Sequence, residues 1–175
     1  MARCYSGAMA LLKPFPAQWL ISDARNDAAL EQALRRLPRG SGFIFRHYHL
    51  PPRERRQRFA ALARLARARG HLVALAASRA QARRWGADLA YGPRGDLVPV
   101  HSLCEIGRSV GATALLLSPV FPTRTHPGAK ELGPLRFRLL AGRAAVAVIA
   151  LGGMNAHRAR RLKWPYWAGI DAFSR

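Results

Sequence analysis

Short apolar segments alternate with polar, helix-favouring segments along most of the chain. The apolar runs cover residues 18–22, 42–46, 71–76, 88–91, 98–100, 114–117, 145–151 and 169–173. Segments that favour helix lie between most of them, at 27–37, 51–69, 78–85, 103–110, 134–141 and 156–162. Strands that alternate with helices in this way are typical of βαβ units, so the pattern predicts a parallel sheet.

Eight strand–helix repeats favour one architecture, a closed (β/α)8 TIM barrel, over an open doubly wound sheet. Such barrels usually need at least about 200 residues, and this chain has 175. Two segments of the chain are too short to hold the helix that a full barrel would have there. Residues 92–97 are too few for a helix, and only two residues follow Phe173. We therefore predict a barrel whose helices after strands four and eight are reduced or missing.

The length and the composition indicate one folded domain over residues 1–175. Half of the residues are hydrophobic, and residues 1–16, with Pro14 and Pro16, predict a poorly ordered N-terminal extension. No apolar stretch reaches the roughly 20 residues of a membrane-spanning helix. The two cysteines make neither a disulfide framework nor a zinc site. The expectation is a soluble, cytoplasmic protein without a membrane partner.

The charge is strongly positive, with 29 Lys and Arg against 9 Asp and Glu. A polyanionic partner is one explanation, because lysine and arginine bind phosphates by releasing counterions. In the densest run, 53–69, however, Phe59, Leu62 and Ala66 can form one buried helix face while the arginines stay solvated. No nucleic-acid-binding motif accompanies the charge. A nucleic-acid partner is thus not expected, although a basic RNA- or DNA-binding protein stays an alternative.

Two loops carry the candidate chemistry. Residues 115–133, LLLSPVFPTRTHPGAKELG, contain Thr123, Thr125 and His126, whose hydroxyl and imidazole groups can donate hydrogen bonds. Residues 150–155, ALGGMN, place Gly152 and Gly153 between a predicted strand and a predicted helix. Glycines there allow backbone N–H groups to approach an anion, and barrels commonly hold phosphate after their seventh and eighth strands. The two loops predict a phosphate site.

The same loops resemble the thiamine phosphate synthase and TenI-like (thiazole tautomerase) family. That family carries a Gly-Pro-Val-Phe-x-Thr-x-(Thr/Ser/Cys)-Lys loop and an Ile/Leu-Gly-Gly-(Ile/Met) strand end. The matching positions here are Pro119, Val120, Phe121, Thr123, Thr125, Leu151, Gly152, Gly153 and Met154, while His126 stands where lysine is usual. Weaker similarities, such as Trp19–Asp23 and His101–Glu105, extend the resemblance over about residues 19–173.

The resemblance implies a (β/α)8 barrel and three alternative functions. A thiamine phosphate synthase couples aminomethyl-pyrimidine diphosphate to thiazole phosphate with Mg²⁺ in thiamine biosynthesis. A TenI-like tautomerase isomerises a thiazole carboxylate phosphate by proton transfer. A non-catalytic descendant would only bind thiazole phosphate or thiamine phosphate. The residues leave the three open, with the synthase, a transferase, as the first expectation.

The resemblance also assigns roles to individual residues. His126 becomes the catalytic candidate, and Asp96 matches a metal-binding aspartate. The substrate- and phosphate-binding candidates are Arg46, Ser102, Thr123, Thr125, Gly152 and Gly153. Two departures stand against the synthase, since the second strand end lacks the family's Gln and Lys, and the third ends Ala77-Ser78 where Asn-Asp is usual. The thiazole-phosphate half of the site looks retained and the diphosphate–metal half reduced.

An aromatic cluster near the C-terminus needs a separate explanation. Trp164, Tyr166 and Trp167 lie where a shortened barrel would leave its last strand uncovered. Large apolar patches rarely stay exposed without a use. The cluster therefore predicts either a cover for this gap or a homodimer contact.

Overall fold

The computed structural model of this chain describes residues 14–123 and 130–173. Eight strands are present: β1 (Gln18–Ile21), β2 (Gly42–Phe45), β3 (Leu72–Ala76), β4 (Leu89–Tyr91), β5 (Leu97–Val100), β6 (Ala114–Leu117), β7 (Ala147–Ala150) and β8 (Trp167–Gly169). The α-helices of this part of the chain are α1 (Leu30–Arg36), α2 (Pro52–Ala68), α3 (Arg79–Trp85), α4 (Leu103–Arg108), α5 (Gly133–Ala141) and α6 (Ala156–Leu162).

The strands close into a barrel in their order along the chain. Each strand pairs in parallel with the next, and β8 pairs with β1 through Gln18 and Trp167. Parallel neighbours need a crossover that returns the chain to the opposite end of the sheet, and the helices outside the barrel supply most of these crossovers. The predicted (β/α)8 architecture is confirmed, and the doubly wound alternative is excluded.

The barrel is shortened at the two predicted places. Only residues 92–96 connect β4 to β5, without a helix, and the two strands pair only at Tyr91 and Leu97. This tight connection is pinned by Asp96, whose carboxylate accepts from the N–H of Ala90 at 2.8 Å and pairs with Nε of Arg79 at 3.0 Å. After β8 the described chain contains only a 3-10 turn, Asp171–Phe173.

Alternating residues of the strands separate two apolar layers. Trp19, Ile44, Leu116 and Ile149 belong to the barrel interior and are fully buried. Residues of the opposite strand faces pack under the helices, as where Phe45 meets Phe59 of α2 edge-to-face at 5.5 Å. The arginine-rich segment thus buries the apolar face that its periodicity predicts, together with Leu62 and Ala66.

Two element boundaries differ from the sequence prediction. The last strand is Trp167–Gly169 rather than 169–173, because the chain turns into the 3-10 segment at Asp171. The first helical segment was predicted to begin at residue 27, but it begins as a 3-10 turn, Ala24–Ala29, which is capped by Asp23. Asp27 lies within this turn and bonds to His47, which follows β2, and to Arg58 of α2. No local sequence pattern reveals those partners.

The C-terminal aromatic residues pack within one chain. Trp164 donates from Nε1 to the carbonyl of Val148 at 2.7 Å, and Trp167 stacks on Phe173 at 5.0 Å. Tyr166 meets Phe15 edge-to-face at 5.5 Å. These contacts supply the predicted cover for the gap, and the homodimer contact stays a prediction. The predicted N-terminal extension falls mostly on residues 1–13, which lie outside the described residues.

None of the helices in the described ranges is long and apolar enough to cross a bilayer.

Candidate functional site

A cavity of about 1140 Å³ opens at the carboxyl ends of the strands. Its walls come from the segments that follow β2 and β4 to β8. The loops at this end of a (β/α)8 barrel are where ligands and catalytic groups are placed, because they converge there from separate strands. The cavity is therefore the candidate functional site.

One wall of the cavity is built from Gly152 and Gly153, directly after β7. Both have positive φ, +91° and +61°, a region that favours glycine. A Cβ on Gly152 would lie 2.6 Å from Cα of Pro119, so the loops after β6 and β7 are in direct backbone contact. Within the described ranges, no group accepts a hydrogen bond from either glycine amide.

A guanidinium group lies beside these glycines. Arg158 in α6 donates to the carbonyl oxygen of Gly153 and lies over the ring of Phe121 at 5.0 Å from its centroid. Asn155 caps the same helix by accepting from the N–H of Arg158 at 2.8 Å. The sequence analysis placed Arg158 in the predicted helix 156–162 and gave it no role in the site. Arg158 lies in the first turn of the helix that follows the two glycines, and this position in the sequence could have identified it as a site residue.

A histidine enters the cavity from the end of β5. His101 donates from Nδ1 to the carbonyl oxygen of Ser118 at 2.9 Å, which fixes the ring against the end of β6. Its own backbone N–H donates to the carboxylate of Glu105. The neighbouring Ser102 lies outside the cavity lining and caps α4, where it accepts from the N–H of Glu105 at 3.3 Å.

Arg46 and two tyrosines line the cavity on its β2–β4 side. The guanidinium of Arg46 lies 5.7 Å from the ring centroid of Tyr48 and 3.9 Å from the carboxylate of Asp23. Its Nε is buried, and the described residues offer it no hydrogen-bond acceptor. Burial raises the pKa of the Tyr91 hydroxyl, which stays protonated at neutral pH. This side of the cavity combines one positive charge with aromatic surface.

Behind Arg46, a buried chain of hydrogen bonds holds the end of β2. Oγ of Ser22 accepts from the N–H of Arg46 at 2.8 Å and lies 2.8 Å from Nδ1 of His47. Nε2 of His47 lies 2.8 Å from the carboxylate of Asp27. Because Ser22 is fully buried, this Ser–His–Asp arrangement has no access to a substrate. It fixes the backbone that carries Arg46 into the cavity.

The structure brings together part of the predicted site. Arg46, Thr123, Gly152 and Gly153 line the cavity. Ser102 and Asp96 do not, since Ser102 caps a helix and the Asp96 carboxylate is bound to Ala90 and Arg79 before β5. Thr125 and His126 lie outside the described residues. The sequence analysis assigned no role to Arg158, and His101 entered it only in the weaker family similarity of His101–Glu105.

The described residues of the cavity do not fit a magnesium ion. Mg²⁺ is usually bound through one or two carboxylates together with substrate phosphates. The only carboxylate among the described lining residues is Asp171, which is half exposed and faces Arg25 at 4.0 Å. No group of three or more His, Cys, Asp or Glu residues within ranges 14–123 and 130–173 is arranged to hold a metal.

Fold and cavity define a (β/α)8 barrel protein with a cavity at its mouth that is lined by the guanidinium groups of Arg46 and Arg158. The structure is similar to that of a thiamine phosphate pyrophosphorylase from Pyrococcus furiosus, with a TM-score of 0.72 and 22% sequence identity over 89% of this chain and 85% of that one. At this identity the likeness establishes the fold. No family model matches the sequence. No curated protein matches it either.

Proposed function

We propose that this protein binds thiazole phosphate in the mouth of its barrel, with the phosphate group held at Gly152 and Gly153. The observation that carries the proposal is the pair of glycine amides without a described acceptor, beside the guanidinium of Arg158. Consecutive backbone N–H groups form a concave site for anions, and an arginine adds charge-assisted hydrogen bonds to phosphate oxygens.

The heterocyclic part of the ligand is inferred from the family resemblance and from the cavity wall. Thr123, next to the phosphate position, matches the family's thiazole-phosphate loop. Pro119, Pro122 and Leu151 give the same region apolar surface. A small aromatic ring with a phosphorylated side chain combines these two requirements, since apolar walls with a few polar groups are typical of small-molecule sites.

Calorimetric titration with thiazole phosphate tests the proposal. We expect binding by the unmodified protein and a loss of about tenfold or more in affinity for Arg158→Gln, because a hydrogen bond to a charged group contributes about 1.5–3 kcal/mol. Arg160→Gln is the matched control, since Arg160 lies on the exposed face of the same helix. Its affinity should stay within about twofold. No binding by the unmodified protein, or equal losses in both variants, would contradict the proposal.

The coupling reaction of the thiamine phosphate synthases is the second candidate. The likeness to the pyrophosphorylase fold and the presence of Arg46 in the cavity favour it. The lack of a carboxylate at the ends of β3 and β4 speaks against it, because the diphosphate of the second substrate would need a metal there. We expect no Mg²⁺-dependent thiamine phosphate when both substrates are supplied. Product formation that EDTA abolishes would establish the synthase instead.

A further inference from the structure

We propose that the outer surface of α1, α2 and α3 binds nucleic acid through the phosphate backbone, without reading the base sequence. The composition alone gave no reason to expect this partner, because arginines also solvate a helix. The structure adds where the arginines lie and what they pair with. Apart from Arg79, which is bound to Asp96, the exposed arginines of the three helices are Arg35, Arg36, Arg53, Arg56, Arg64, Arg67, Arg83 and Arg84. These eight residues define the arginine surface.

The three helices pack side by side, so the arginine surface is continuous. Arg58 of α2 donates from Nη2 to the carboxylate of Glu31 in α1 at 3.2 Å. On the other side of α2, the ring of Phe59 lies 5.7 Å from that of Trp85 in α3, between centroids. The helices cover consecutive strands of the barrel, β1 to β4. A single extended ligand can therefore contact all three.

The four exposed arginines of α2 share one face of that helix. At 3.6 residues per turn, their positions fall within about 80° of the helix circumference. Phe59 and Leu62 lie on another face, which is buried. From Arg53 to Arg67 the helix rises about 21 Å. A nucleic-acid duplex carries one negative charge about every 1.7 Å along its axis, so one duplex can meet several of these guanidinium groups at once.

Few carboxylates neutralise the arginine surface. Of its eight members, Arg67 alone has an ion-pair partner in the described part of the chain, Asp88 at 3.7 Å. Within the three helices, Glu54 is the only exposed carboxylate, since Glu31 is bound to Arg58. Arginine is less strongly hydrated than lysine, and its planar N–H groups bind phosphate oxygens in pairs. The surface thus offers unneutralised charge of the kind that suits phosphate.

The position of the exposed apolar residues favours nucleic acid over an anionic membrane. A helix that lies on a bilayer inserts large apolar side chains beside its basic residues. In the described ranges, large exposed hydrophobic residues other than Tyr48 lie on or beside α4 and α5, at Leu103, Val110, Leu135 and Leu139. These two helices lie across the barrel from α1 and α2, four strands away in each case. The arginine surface has no large exposed apolar residue to insert, and a nucleic acid needs none, because phosphate contacts supply the affinity of non-specific binding.

Fluorescence anisotropy with two labelled DNA duplexes, equal in length and different in sequence, tests the proposal. A triple variant removes three charges from the arginine surface, by Arg53→Gln, Arg56→Gln and Arg64→Gln. A control variant removes three charges from exposed positions across the barrel, by Arg136→Gln, Arg143→Gln and Arg160→Gln. Both variants have the same net charge, so a difference between them reports on the location of the charge.

We expect the unmodified protein to bind both duplexes with the same affinity. The triple variant should lose about tenfold or more in affinity near 0.1 M salt, and its slope of log affinity against log salt should become shallower by about 3, one for each phosphate contact. The control variant should stay within about threefold, because charges far from the duplex are screened over about 10 Å at this ionic strength.

Three results would overturn the proposal. Equal losses in the two variants would show that binding follows net charge and not this surface. Binding to vesicles of phosphatidylcholine and phosphatidylserine but not to DNA would identify a membrane partner. Absence of binding to DNA would exclude the activity. None of them touches the proposed function, since thiazole phosphate is bound in the cavity and its affinity should be unchanged in both variants.

Discussion

Gly152 is required by space as well as by backbone conformation. Its φ of +91° favours glycine, and the chain of Pro119 leaves no room for a Cβ. Gly40 in the loop before β2 is a contrasting position, with a φ of +77° but no atom within 4 Å of an added Cβ. An alanine at Gly40 would cost only the free energy of the backbone conformation. An alanine at Gly152 would also cost the free energy of the steric conflict with Pro119.

We expect Gly40→Ala to lower the free energy of unfolding by about 1 kcal/mol, the usual cost of placing alanine in a left-handed conformation. Gly152→Ala should cost about 2 kcal/mol more, because the loops after β6 and β7 must also separate. Urea denaturation of both variants measures the difference. Equal losses would show that the contact with Pro119 is not tight in solution.

Buried histidines make the stability of the protein depend on pH. Burial lowers the pKa of His47, against the opposing effect of Asp27, and burial also lowers the pKa of His71. The unfolded chain therefore binds these protons at a higher pH than the folded chain does. Stability should fall as the pH drops below the ordinary histidine value of about 6.5, by up to about 1.4 kcal/mol per pH unit for each group.

Denaturation midpoints between about pH 7 and pH 5 test this expectation. His47→Gln and His71→Gln should each reduce the slope, and the double variant should reduce it further, because the amide does not titrate. If the slope of the double variant equals that of the unmodified protein, other groups carry the acid sensitivity.

At the scale of single residues, the sequence predicts which residues belong to the site better than it predicts their hydrogen-bond partners. Gly152, Gly153 and Arg46 were recognisable because a motif or a strand end marks them. Arg158 and the tautomer of His101 were not, since each depends on a carbonyl group, of Gly153 or of Ser118, that only the folded backbone places there.

Among the elements, the connection between β4 and β5 shows how the barrel closes without a helix. The carboxylate of Asp96 replaces part of the missing packing, since it binds the N–H of Ala90 within β4 and the guanidinium of Arg79 at the start of α3. The resemblance assigned this aspartate to a metal, and that role stays a prediction. The contacts of the carboxylate in this structure are structural ones.

Asp96→Ala distinguishes the two roles. Loss of the carboxylate leaves the N–H of Ala90 and the charge of Arg79 without their partner, so we expect a loss of about 1–3 kcal/mol in unfolding free energy. The affinity for thiazole phosphate should be unchanged, because Asp96 lies outside the cavity lining. A variant of unaltered stability that has lost Mg²⁺-dependent activity would support the metal role instead.

Element order was predictable from the sequence, whereas element ends were less so. Apolar periodicity located all eight strands and the helices between them, because burial on the sheet and on one helix face leaves a pattern. The start of β8 was misplaced by two residues, since apolar residues continue beyond Gly169 on both sides of Asp171 and do not mark where the strand ends.

For the whole molecule, the formal net charge of +20 is the dominant electrostatic feature. Six of the nine carboxylates pair with arginines within the described ranges, and the arginines in excess lie largely on the surface. Like charges on one compact chain repel, which destabilises the folded state more at low ionic strength, where screening is weak.

The melting temperature should therefore rise by a few degrees when sodium chloride is raised from about 0.02 to about 0.3 M. Phosphate buffer at matched ionic strength should raise it further, because phosphate also occupies the glycine–arginine position. Differential scanning calorimetry measures both effects. A fall in melting temperature with salt would show that attractive ion pairs outweigh the repulsion.

The binding of a phosphate group at Gly152 and Gly153 is the central claim of this account, and amide NMR tests it most directly. A titration with thiazole phosphate is followed through the backbone amide signals of the two glycines, with Gly40, at the opposite end of the barrel, as the internal control. We predict saturable shifts of the Gly152 and Gly153 signals and none at Gly40. Unmoved glycine signals at saturating thiazole phosphate would contradict the claim.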